Sequence, residues 1–74
     1  MISLKDVRKA YESIKGKIYR TPVLTRDFVN SAYGNEITLK LENLQRSGAF
    51  KIRGVFNKIG SLTEKERQNG IICA

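Results

Sequence analysis

The sequence predicts an α/β chain on three observations. Apolar residues recur at helical spacing over residues 4–18, they alternate with polar ones over residues 37–42, and helical spacing returns after residue 49 ahead of an apolar run at 71–74. The first helix carries its own start signal. Ser3 stands where an N-cap belongs, Asp6 three positions later completes a capping box, and Ile2 is placed to staple onto Val7. Leu4, Val7, Tyr11, Ile14 and Ile18 form the apolar stripe, and Lys5, Arg8, Lys9, Glu12 and Lys15 occupy the other face. Gly16 is the expected stop, through a left-handed cap.

Thr21-Pro22-Val23-Leu24 favours extended backbone, because the residue before a proline is pushed out of the helical region. Thr25 is the expected cap of a short helix running through Ala32 and ended by Gly34-Asn35. Ile37, Leu39 and Leu41 then alternate with Thr38, Lys40 and Glu42, a strand with one apolar face. Asn43 to Gly48 is a polar connection with Ser47 at the expected helix cap, and Ile52, Val55, Phe56 and Ile59 mark the next helix. Gly60-Ser61 ends it, and Thr63 with Glu66 forms a second capping box. After the Asn69-Gly70 turn, Ile71-Ile72-Cys73-Ala74 reads as the opening of a buried strand.

Strand 37–42, a helix and strand 71–74 make a βαβ unit, in which the two strands are expected parallel with a right-handed crossover. One such unit cannot cover both faces of a parallel sheet. The expectation is therefore the beginning of a larger α/β domain, with residues 1–74 as its N-terminal fragment and the remainder downstream.

Composition narrows the functional classes. A chain of 74 residues has room for one small domain, and such domains usually depend on a disulfide, a metal or a partner. One Cys cannot close an internal disulfide, and the absence of His removes the usual zinc sets and every Ser–His or Cys–His nucleophile arrangement. The net charge of +7 raises nucleic acid or another anion as a partner. The charge is spread, however: residues 1–35 hold seven basic and three acidic groups, residues 36–74 seven and four, with no basic block. No stretch is apolar enough to span a bilayer and the N-terminus carries no leader pattern, so a cytoplasmic location without membrane contact is expected. Cys73, inside the apolar run, is expected to be a buried thiol.

The chemistry-bearing stretch is Ser47-Gly48-Ala49-Phe50-Lys51-Ile52-Arg53-Gly54. Lys51 falls in the first turn of its helix, roughly 90° from the centre of the Ile52/Val55/Ile59 stripe. Partial desolvation and the positive end of the helix dipole both favour the neutral amine there, and a neutral lysine attacks aldehydes. Small residues at 47–49 leave room for a planar ring, with Phe50 beside it. The competing reading is a helix-surface lysine like Lys58, its ammonium in water. Arg53 reads as a solvated charge rather than an anion clamp, and Gly54 inside a helix hints at close packing.

Glu42, followed by Ser47-Gly48-Ala49-Phe50-Lys51-Ile52-Arg53-Gly54-Val55, resembles the pyridoxal-phosphate attachment motif of the serine/threonine dehydratase family. Thr21-Pro22-Val23-Leu24 and Leu39-Lys40-Leu41-Glu42-Asn43 are similar to the same family, so the resemblance covers essentially the whole chain. It implies the first part of a fold-type II, tryptophan-synthase-β-like enzyme, with Lys51 as the catalytic residue that binds pyridoxal 5'-phosphate as a Schiff base. It further implies that Phe50 packs on the cofactor ring, that the substrate is a hydroxy amino acid (threonine or serine), and that the whole enzyme is a homo-oligomer. The implied reaction is dehydration and deamination of L-threonine to 2-oxobutanoate and ammonia, with a serine-racemase-like activity as the alternative. In relatives the strand matching 71–74 leads into a Ser-x-Gly-Asn turn, and a glycine-rich phosphate loop and a partner for the pyridine nitrogen follow. None of these falls within residues 1–74, so the isolated chain is expected to be inactive and at best partly folded. A reading of a different class is a small basic module that binds an anion or nucleic acid.

Overall fold

The first helix forms where its cap is read. In the computed structural model, which describes residues 1–73, α1 spans Leu4–Ile14. The Ser3 hydroxyl accepts the Asp6 N–H at 3.3 Å, and the Asp6 carboxylate accepts the Ser3 N–H at 2.8 Å. Ile2 and Val7 both stay exposed, so the staple shields neither from water. Gly16 does not adopt the left-handed conformation expected of it. The helix ends instead by tightening: Lys15 N–H reaches Tyr11 O and Lys17 N–H reaches Ile14 O, each at 2.8 Å.

Beyond Pro22 the chain enters β1 (Val23–Thr25), which pairs antiparallel with β2 (Thr38–Lys40). The register is Val23 with Lys40, Leu24 with Leu39 and Thr25 with Thr38. This corrects the expected cap. Thr25 is held in the ladder with its hydroxyl 3.3 Å from that of Thr38, and α2 (Asp27–Tyr33) begins after Arg26 without a side-chain cap. Gly34 closes α2 in the left-handed region at φ +66°, its N–H on Asn30 O, as expected of a glycine after a helix. The Asn30 side chain accepts the Ile37 N–H at 2.8 Å, which ties α2 to the start of β2.

The strand expected over 37–42 is shorter at both ends, at Thr38–Lys40. Leu41 N–H still bonds Pro22 O in the ladder register, but Pro22 has no N–H to return, and Glu42–Leu44 form a single 3-10 turn. Ser47 does not cap the next helix. Its hydroxyl donates to Ala49 O at 3.0 Å, and α3 (Lys51–Ser61) starts behind Phe50 with no side-chain cap. The second capping box is present: Thr63 and Glu66 exchange hydrogen bonds at the start of α4 (Glu64–Gln68).

The βαβ unit is not formed among the described residues. The sheet has two strands and is antiparallel, and residues 71–73 have no strand partner; Ala74, the end of the expected strand, lies outside the described residues. A short apolar segment becomes a strand only beside another strand, and no strand among the described residues lies beside 71–73. Cys73 is correspondingly exposed rather than buried.

Helices α1 and α3 pack against each other, bridged by a 3.1 Å hydrogen bond from Ser13 to Asn57. The core is thin: Ile14 (5% exposed) and Ile18 (9%) are its buried aliphatic residues among those described. The Cα radius of gyration is 16.4 Å, against about 11 Å for a compact domain of this length. Tyr11, Val55, Phe28, Leu39 and Ile72 are among the large apolar side chains left in water.

Candidate functional site

Lys51 is the first residue of α3, and its side chain is exposed. The face of α3 turned inward is centred on Ile52, Arg53, Phe56 and Ile59, whereas Val55 is exposed. At 100° per residue that face lies about 130° from Lys51 rather than roughly 90°, so the amine stands clear of the packing surface. The desolvation expected at the border of the stripe is therefore absent. Phe50, next to it, is exposed as well, and Gly48 adopts φ +72° with open space where a Cβ would sit. Gly54 also faces open space, which corrects the expectation of close packing there.

The loop that presents Lys51 is held by two polar clusters. In the first, the Glu42 carboxylate accepts from the Arg53 Nε–H through Oε1 and from the Thr21 hydroxyl through Oε2, the latter at 2.6 Å. The Lys40 ammonium donates to Thr21 O at 2.7 Å. The Arg53 guanidinium and then the Thr21 hydroxyl hold the Glu42 carboxyl down at a pKa of about 2. In the second, Gln45 reaches Tyr19 and Arg46, whose guanidinium lies 5.1 Å from the Tyr19 ring centroid and also donates to Lys17 O at 3.4 Å. Thr21 and Gln45 are each 4% exposed, the most buried polar residues described.

Arg53 is thus an ion-pair partner rather than a solvated charge, with its side chain 30% exposed and that of Glu42 15% exposed. The sequence reading singled out Lys51 and Phe50 and did not identify Gln45 or the Thr21–Glu42–Arg53 link. A legible signal for the link was present: Glu42 at the end of an alternating strand, and a basic residue two positions after the lysine, half a helical turn around.

The residues present fit pyridoxal phosphate at the amine and the ring: a primary amine in water, an aromatic neighbour and an unobstructed approach over Gly48. Among the described residues no glycine-rich run offers consecutive amides to the phosphate.

Known proteins resemble this chain over most of its length. The L-threonine ammonia-lyase of Thermotoga maritima is 43% identical over 74 residues, which is 100% of this chain and 18% of that protein. The serine racemase of Dictyostelium discoideum is 44% identical over 71 residues, 96% of this chain and 22% of that protein. The chain thus spans about a fifth of the length of these relatives. Among solved structures, the T.th. threonine deaminase superposes with a TM-score of 0.74 at 36% identity, over 85% of this chain and 21% of that one. The Dictyostelium serine racemase structure superposes with a TM-score of 0.78 at 45% identity, over 86% and 21%. The chain is a small α/β piece of the fold-type II architecture, as the resemblance implied. The sequence model of the pyridoxal-phosphate dependent enzyme family matches residues 14–74, and this chain belongs to that family.

Proposed function

We propose that residues 1–74 are the N-terminal part of the catalytic domain of a pyridoxal-phosphate-dependent L-threonine ammonia-lyase, which converts L-threonine to 2-oxobutanoate and ammonia. The observation that carries this reading is Lys51: an exposed amine at the first position of α3, next to Phe50 and set into a motif shared with the dehydratases. Identities of 43% to an L-threonine ammonia-lyase and 39% to the catabolic L-threonine dehydratase of Escherichia coli support it.

Pyridoxal phosphate, when bound, supplies an aldehyde carbon to the lysine and an electron sink for the substrate's α-carbon. Lys51 would hold the cofactor through its Nζ, and the same amine is the group on this chain that would take the α-proton of the amino acid. Phe50 would pack on one ring face and keep water from it. With the cofactor bound, the chemistry it supplies would end in loss of the β-hydroxyl with one proton as water and, on uptake of one water, in ammonia and the 2-oxo acid. The remaining groups that such chemistry requires, a phosphate cradle and a partner for the substrate carboxylate, would have to come from outside residues 1–74.

The basic-module reading is weaker. Four of the fourteen cations have partners within the fold, Lys15 with Glu12, Arg53 with Glu42, Lys40 with the Thr21 carbonyl and Arg46 with Tyr19, and the sequence holds no basic block. No helix among the described residues is long and apolar enough to cross a membrane.

The test begins with the DNA after the last codon. A continuation encoding a Ser-x-Gly-Asn turn and a later glycine-rich loop is expected; a stop codon there removes the reading. In the full-length polypeptide, Lys51→Ala abolishes the visible imine absorption and 2-oxobutanoate release together, and retention of both overturns the role of Lys51. Chiral analysis of the products with L-serine separates a lyase, which gives pyruvate, from a racemase, which gives D-serine.

A further inference from the structure

We propose that Glu42 and Arg53 are positioning residues, which set the rotation of α3 about its own axis and so aim the Lys51 amine; the inference rests on the Lys51 reading above. Lys51 and Arg53 are two residues apart on α3, about 200° around the helix, and therefore on opposite sides. Drawing Arg53 inward turns Lys51 outward. The observed burial agrees, with Arg53 half-buried and Lys51 exposed. The first turn of α3 has no side-chain cap to fix it, so its orientation depends on such a clip. Glu42 is a firm anchor for one. Its second oxygen is held by the hydroxyl of buried Thr21, whose carbonyl in turn accepts from Lys40. The pair also joins the two ends of the loop that carries Ser47, Gly48 and Phe50, tying the 3-10 turn after β2 to the first turn of α3.

The experiment compares Glu42→Gln and Arg53→Lys with the parent in the full-length polypeptide, with Ser13→Ala as a control. Ser13→Ala removes the hydrogen bond to Asn57 and loosens α1 from α3 without touching the clip. Three quantities are read: the site of the borohydride-trapped cofactor by peptide mapping, the visible circular dichroism per mole of bound cofactor, and kcat against KM for L-threonine. The expected result is an adduct still on Lys51, dichroism lowered by about twofold or more, and kcat lowered about tenfold with little change in KM, as misaimed reacting groups produce. Ser13→Ala is expected to lower the melting temperature and leave the dichroism unchanged. An adduct on Lys51 with dichroism and kcat at the parent values in both clip variants overturns this inference alone. Equal loss in Ser13→Ala also overturns it, since the clip then contributes only stability. An adduct on another residue overturns the Lys51 reading and this inference together. If Glu42→Gln fails to fold, Arg53→Lys, which keeps the charge and loses the Nε–H donor, decides the matter.

Discussion

Gln45 pairs with the backbone of Tyr19 as an adjacent strand would. Its Oε1 accepts the Tyr19 N–H and its Nε2 donates to Tyr19 O, both at 2.8 Å. The same oxygen also accepts the Arg46 N–H at 3.0 Å, so one buried amide fixes the lysine loop against the segment that leads into β1. Replacing Gln45 by Leu leaves these backbone groups without partners and is expected to cost about 1–3 kcal/mol. Urea unfolding of the full-length polypeptide measures it; a loss below about 0.5 kcal/mol, ordinary for a surface change, contradicts the role assigned to the amide.

Acid is expected to loosen the site in a defined window. The folded Glu42 carboxyl titrates near a pKa of about 2 instead of 4.5, held there by Arg53 first and Thr21 second. The unfolded chain therefore takes up the proton first as the pH falls. The stabilisation is complete above pH 4.5 and disappears on the way down to about 2. Asp6, through its hydrogen bonds with Ser3, and Glu66, through Thr63, are lowered in the same direction and add to the slope. Unfolding midpoints at neutral pH and at pH about 3 should differ less in Glu42→Gln than in the parent. Identical pH slopes for the two proteins would refute the assignment.

Gly54 and Gly34 predict opposite outcomes for the same substitution. Gly54 lies within α3 with nothing within 4 Å of an added Cβ, so Gly54→Ala is expected to raise helix stability by up to about 1 kcal/mol. Gly34 has equal space but sits at φ +66°, where Gly34→Ala costs about 1–2 kcal/mol of backbone strain. Circular dichroism at the helical minimum, measured on residues 1–74, is expected to deepen for the first variant and to become shallower for the second.

Residues 1–74 on their own are expected to show helical signal without a sharp melt. Two buried aliphatic side chains among the described residues offset little of the chain's ordering entropy, and the radius of gyration of 16.4 Å describes an open arrangement. A calorimetric scan with a cooperative peak would contradict this.

The features legible in the sequence are those whose partners lie within a few residues. Ser3 with Asp6, Thr63 with Glu66, and Gly34 after Tyr33 sit in the structure as read, because caps are local geometry. The place of Lys51 in the first turn of its helix is legible too. What escaped reading is long-range. Thr25 resembles a cap until β1 and β2 pair and claim it. Arg53 looks solvated on a helical wheel because the partner that draws it inward, Glu42, sits eleven positions earlier beyond a polar loop. Gln45 has no local signature, since its partner Tyr19 is 26 residues away.

The half-turn separation of Lys51 and Arg53 limits how this segment tolerates changes in length. The connection before them is itself held, because buried Gln45 is bonded to Tyr19. One residue gained between Lys51 and Arg53 would swing the amine by about 100° and point it along the molecular surface. The spacing from the lysine to the arginine should therefore behave as fixed.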